Sequence, residues 1–111
     1  MLTLPPLQQL GEWLCGRPWD AVVGTRLDSA CCPLALWLAE HFGQGVLVDE
    51  RSVWMGEAER CATPPDYVAV IEAIDYAGAT PDRAVQVVEV QHVLQMILRE
   101  QGEEVDDRET P

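Results

Sequence analysis

The sequence predicts a mainly α protein of the α+β kind, with four helices around a central apolar helix and one small β-hairpin. Three observations predict it. Residues 33–42 are almost wholly apolar and are punctuated at both ends. Three further stretches repeat apolar residues at helical spacing, and two short Val-containing runs flank a polar turn of three residues.

Leu4-Pro5-Pro6 reads as an extended lead-in, and Pro6 can open a short helix through Cys15. Leu7, Leu10, Trp13 and Leu14 recur at helical spacing, and Gly16 closes the element. Arg17 to Leu27 reads as a loop, because Pro18, Gly24 and scattered charges break any period. Trp19 and Val22-Val23 are expected to tuck this loop against the core.

The central helix follows. Pro33 suits a first turn, where a missing N–H costs nothing. Asp28 or Ser29 can cap its amides, and Gly43 can take the left-handed closing position. Leu34, Trp37, Leu38, His41 and Phe42 fall on one face, while Ala35, Leu36 and Ala39 make the flanks apolar too. A helix apolar nearly all round is expected at the centre, covered on several sides. Beyond it, Val46-Leu47-Val48 and Ser52-Val53-Trp54-Met55 read as a hairpin joined by Asp49-Glu50-Arg51. Two strands alone are marginal in water, so the hairpin must lie on the helices. Gly56 to Pro65 reads as a polar connection.

Asp66 to Ala77 is an amphipathic helix with Tyr67, Val70, Ile71 and Ile74 on one stripe, ended by Gly78. Thr80-Pro81-Asp82 then supplies a cap, a first-turn proline and an acid for the last helix, expected to reach Gln101. Its buried row is Val87, Val90, Leu94, Ile97 and Leu98. The chain is thus read as one globular domain, residues 1–101, followed by a disordered acidic tail, residues 102–111.

Composition limits the function classes. A chain of 111 residues can bury roughly two thirds of its unfolded surface, and 48% of its residues are apolar, so neither staples nor metal are required. The formal charge is −12, with seven Arg and no Lys. A field of that sign repels nucleic acid and anionic membrane, and it favours a basic partner protein. No basic, apolar leader and no run of about 18 apolar residues is present, which predicts a cytoplasmic protein. In such a compartment Cys15, Cys31, Cys32 and Cys61 are expected as free thiols rather than disulfides. The paired C-x₂₋₄-C knuckles of a zinc site are missing, so no cofactor or metal is expected.

The pattern Asp28-Ser29-Ala30-Cys31-Cys32-Pro33-Leu34-Ala35-x-Trp37-Leu38 resembles small uncharacterised bacterial and phage proteins with an Asp/Ala-Cys-Pro-Leu-Ala-x-Tyr/Trp-Leu helix. In those proteins a Gly- and Val-rich hairpin segment follows, then a Pro-flanked helix with an Ile-Asp or Val-Asp pair, then a Thr-started helix. The counterparts here are Val46-Leu47-Val48, Ile74-Asp75 and Thr80-Pro81, so the likeness spans residues 28–98. It implies a fold and no catalytic residue. The present chain departs from it by doubling the cysteine and by its acidic end.

Cys31 and Cys32 stand where a helix dipole favours thiolate. A nucleophilic thiol needs a base, and His41 lies roughly 13–15 Å farther along the same helix. A small buried residue is therefore the expected role of these cysteines, and a core or boundary position that of His41. Glu89 and His92 have the spacing of half a di-iron site, but no second Glu-x-x-His exists. The paired acids Asp49-Glu50, Glu57/Glu59 and Glu103-Glu104/Asp106-Asp107 could mimic phosphates and occupy a DNA-binding groove. Of Trp13, Trp19, Trp37 and Trp54, any exposed one is a candidate anchor for a partner.

The functional expectation is a small, non-enzymatic acidic protein that acts by protein–protein interaction, an accessory or regulatory protein of a bacterium or phage. The partner residues expected are Trp19, Trp54, Asp49, Glu50, Glu57 and Glu59. The alternatives are an acidic nucleic-acid mimic that inhibits a DNA- or RNA-binding protein, and a thiol- or metal-dependent enzyme. Self-association through the Val-rich last helix is also open.

Overall fold

Leu7, Leu10 and Leu14, spaced for one helical face, are each at most 1% exposed and anchor the first helix, α1 (Gln8–Leu14). The computed structural model describes residues 3–25, 28–56, 59–76 and 84–109, of which 101–109 by backbone alone. Among these the elements that follow α1 are β1 (Val22–Thr25), α2 (Pro33–Phe42), β2 (Val46–Val48), β3 (Ser52–Met55), β4 (Glu59–Ala62), α3 (Pro65–Tyr76), β5 (Ala84–Gln86) and α4 (Val87–Glu109). The strands make two antiparallel sheets, β1-β5 and β2-β3-β4.

The expected architecture, four helices around a central apolar helix with one β-hairpin, does not hold. Among the described residues four helices are present, but they share the core with two sheets. The hairpin itself forms, with Leu47 opposite Trp54 and Val48 opposite Val53. Its third strand, β4, lies where a polar connection was expected, and Cys61 pairs with Val53. The segment 22–25, read as loop, is β1. Its partner β5 occupies residues 84–86, expected to be helical, so α4 begins at Val87. The expected Gly78 stop and Thr80-Pro81-Asp82 cap lie outside the described residues. α4 instead has its first amides satisfied by the turn below it: Val87 N donates to Ala21 O at 2.9 Å and Val88 N to Trp19 O at 3.0 Å. Its backbone continues past Gln101 to Glu109.

The helix α2 is one-sided rather than central. Pro33, Leu34, Ala35, Trp37 and Leu38 are buried, whereas Leu36, Glu40 and His41 are exposed. His41 is therefore not a core residue; it rests edge-on against Phe42, ring centroids 4.8 Å apart. An apolar flank without an element against it, as at Leu36, is what a composition-based reading turns into a false interior position. The ends of α2 are built as the punctuation suggests, with one substitution of roles. Gly43 closes it at φ 73°. The N-cap is Cys32, whose Sγ accepts from Ala35 N at 3.4 Å, and Asp28 caps the turn before it, Oδ1 accepting from Ala30 N and Cys31 N.

Tyr67, Val70, Ile71 and Ile74 of α3 are buried, as their spacing requires. Tyr67 joins three parts of the fold: its ring packs 5.9 Å from that of Trp37, and its hydroxyl donates to Pro5 O of the lead-in. Tyr67→Phe leaves that carbonyl unpaired in the interior. The expected loss is about 1–2 kcal/mol, read as a lower urea midpoint with an unchanged m-value. An unaltered midpoint would show that the bond contributes nothing.

Candidate functional site

Strand alternation sets the two faces of the three-stranded sheet. Val48 and Val53, in register, are at most 2% exposed and cover the core. Leu47, Trp54 and Arg60, also in register, form a row on the opposite face. Leu47 is 47% exposed, Trp54 is half-buried, and the Arg60 guanidinium lies 4.9 Å from the Trp54 ring centroid. Beside this row runs the uncovered flank of α2, with Leu36 at 37% exposure. Between them lies an apolar groove of about 500 Å³, lined by Leu36, Ala39, Val46, Leu47 and Trp54 and by Ala30, Gly45 and Gly56.

At the other end of β2 the surface changes character. A cleft of about 260 Å³ is lined by Asp28, Asp49, Glu50, Asp75 and Tyr76, with Ser29, Cys32, Val48 and Ile71. Asp49 is held by the hairpin turn, its Oδ1 accepting from Arg51 N and Ser52 N, both at 2.7 Å. The turn is tied to the end of β4 by Thr63, whose Oγ1 donates to Asp49 O at 2.7 Å. Tyr76 is exposed, and its hydroxyl donates to Glu50 Oε1 at 3.3 Å. The Glu50 charge beside it, with Asp75 and Glu72 adding to it, raises the phenol's pKa. No described Arg lines the cleft. Its charged lining is acidic throughout: Asp28, Asp49, Glu50 and Asp75.

The expected partner residues divide accordingly. Asp49 and Glu50 stand in the cleft and Trp54 in the groove. Glu59 is exposed on β4 opposite Met55, at the far end of the hairpin from Asp49 and Glu50. Trp19 is 67% exposed on the Pro18–Ala21 turn, which corrects the expectation that it tucks against the core. Glu57 lies outside the described residues. The sequence reading missed Leu36, Leu47, Asp28, Asp75 and Tyr76. For Leu47 the signal existed, since the middle residue of a three-residue strand between two buried valines must point outward.

All four cysteines are free. Cys32 is buried, and desolvation pushes its pKa up to about 11, outweighing the amide donors of the helix start. Cys31 is exposed, as are His41 and His92. Among the described residues no group of three or more His, Cys, Asp or Glu side chains is placed to hold a metal ion. No described helix is long and apolar enough to cross a membrane. Compared with protein-family models, with curated proteins and with solved structures, the chain matches none.

Proposed function

We propose that the chain is an accessory or regulatory protein that works by binding another protein and catalyses nothing itself. The observation that supports this most is the apolar groove between α2 and the Leu47–Trp54–Arg60 row. A contiguous apolar hollow on a small protein's surface gains free energy only when something covers it. Leu36 and Leu47 are held in it by rigid elements, so little ordering cost accompanies binding. The charge of −12 sets the sign of the partner, since a basic protein is drawn in and an acidic one repelled.

The test is affinity purification from the source cells, followed by sedimentation of the eluate. The expected result is a stoichiometric complex with a basic protein, its association rate falling as salt rises from about 50 to 500 mM. A chain recovered alone and monodisperse would end the proposal. A second reading, mimicry of nucleic acid, draws on the four carboxylates gathered in the cleft. It requires that duplex DNA or RNA compete for the captured partner, whereas groove-led binding is indifferent to such a competitor.

A further inference from the structure

We propose that the groove and the cleft are two halves of one track, which takes a short segment of the basic partner bearing an apolar side chain followed by Arg or Lys. The inference rests on the protein-binding reading above and adds the chemistry of the segment recognised.

The linings of the two hollows adjoin along two segments of the chain. Ala30, Val46 and Leu47 line the groove, while Asp28, Ser29, Val48, Asp49 and Glu50 line the cleft. Residues 28–30 and 46–50 therefore run continuously from one to the other. They are joined where Val48 N donates to Ser29 O at 2.9 Å. From Val46 to Asp49 the strand advances about 10 Å, so an extended ligand passes from apolar to anionic surroundings within roughly three residues. Charge orders the ligand along this line. The groove's lining carries no charged side chain, whereas Asp28, Asp49, Glu50 and Asp75 line the cleft. An apolar side chain in the groove and a guanidinium or ammonium in the cleft satisfy both ends at once. The reverse orientation sets a charged group on an apolar lining and an apolar side chain among carboxylates. A second copy of this chain is a poor occupant, because each copy has a net charge of −12.

The probe is a displayed library of random peptides about 12 residues long, selected against the full-length chain. Enriched peptides are expected to share an apolar residue followed about three positions later by Arg or Lys. Their affinities, measured by fluorescence anisotropy, should fall about tenfold or more with Leu47→Asp in the groove and with Glu50→Arg in the cleft, but not with Met96→Gln on α4. Leu47 is largely exposed and Glu50 exposed, and thermal unfolding of each variant verifies that the fold survives. Enrichment of acidic or purely apolar peptides, or no enrichment, overturns the track. So does equal binding by wild type and both variants. A purified cellular partner indifferent to both substitutions removes the track and leaves protein binding standing. Absence of any cellular partner removes both.

Discussion

Replacing Gly24 by alanine is expected to cost about 3 kcal/mol or more of folding stability, because an added Cβ there meets closer atoms than at any other described glycine. The site is the crossing of β1 over the start of α2. A Cβ at residue 24 would stand 2.6 Å from Pro33 N, 2.7 Å from Pro33 Cδ and 2.8 Å from Cys31 O. Two of these three atoms are backbone, and the third belongs to a ring fused to it, so no rotamer change relieves the overlap. The neighbouring bond Thr25 N to Cys31 O, 2.7 Å long, holds the strand against the turn, and the register with β5 already shifts between Val22 and Gly24. Separating the two segments would break that bond and loosen the capped start of α2. For a domain of this size the loss corresponds to a melting temperature lower by roughly 10–20 °C. Gly45→Ala is the control: nothing lies within 4 Å of the added carbon there, and a change within about 0.5 kcal/mol is expected. Equal melting temperatures for Gly24→Ala and wild type would show that β1 does not press on α2 as described.

That crossing also explains what the sequence could and could not disclose. Helices announce themselves by period, and the buried stripes of α1 and α3 are legible from Leu7-Leu10-Leu14 and Tyr67-Val70-Ile71-Ile74 alone. Of the strands of three or four residues, β2 and β3 were legible because they flank a polar turn, whereas β1, β4 and β5 have too few positions for a period of two to be seen. In β4 no residue is fully buried, so Glu-Arg-Cys-Ala reads as a polar linker although it completes a sheet. β5 is hidden differently: Val85 precedes Val87 and Val90 of α4, and one apolar run serves strand and helix in turn. Gly24 looked like a loop glycine, while its actual reason is the atoms that would stand 2.6–2.8 Å from an added Cβ, which belong to residues seven to nine positions later in the chain. The candidate site was only half visible for the same cause. Trp54, Asp49 and Glu50 stood out by type, but their neighbours Leu36, Asp28, Asp75 and Tyr76 come from other elements, and only the tertiary structure brings them together.

Cys32 provides the second large effect, and it separates a structural thiol from a chemical one. In the native protein its pKa is raised from 9.0 to about 11, with burial the main cause. The unfolded chain therefore releases this proton from about pH 9, while the folded chain holds it until about pH 11. Between those values the folded state binds more protons, so stability falls as pH rises. The contribution is whole below about pH 9 and gone above about pH 11, and a shift of that size amounts to about 3 kcal/mol. Tyr67, whose hydroxyl is also held protonated by burial, acts with the same sign at higher pH. Cys32→Ser isolates the thiol, because serine keeps an N-cap acceptor for Ala35 N and does not ionise in this range. Urea unfolding of wild type from pH 8 to 11 should show a decline that is shallower in the variant by about 2 kcal/mol. Alkylation gives the chemical counterpart. At pH 8 iodoacetamide should modify exposed Cys15 and Cys31, while Cys32, with a thiolate fraction lower by about a hundredfold than an ordinary thiol, stays protected until the protein unfolds. Superimposable pH profiles for the two proteins, together with Cys32 labelling as fast as Cys31, would mean that the sulfur is open to solvent and that a thiol-dependent activity must be reconsidered.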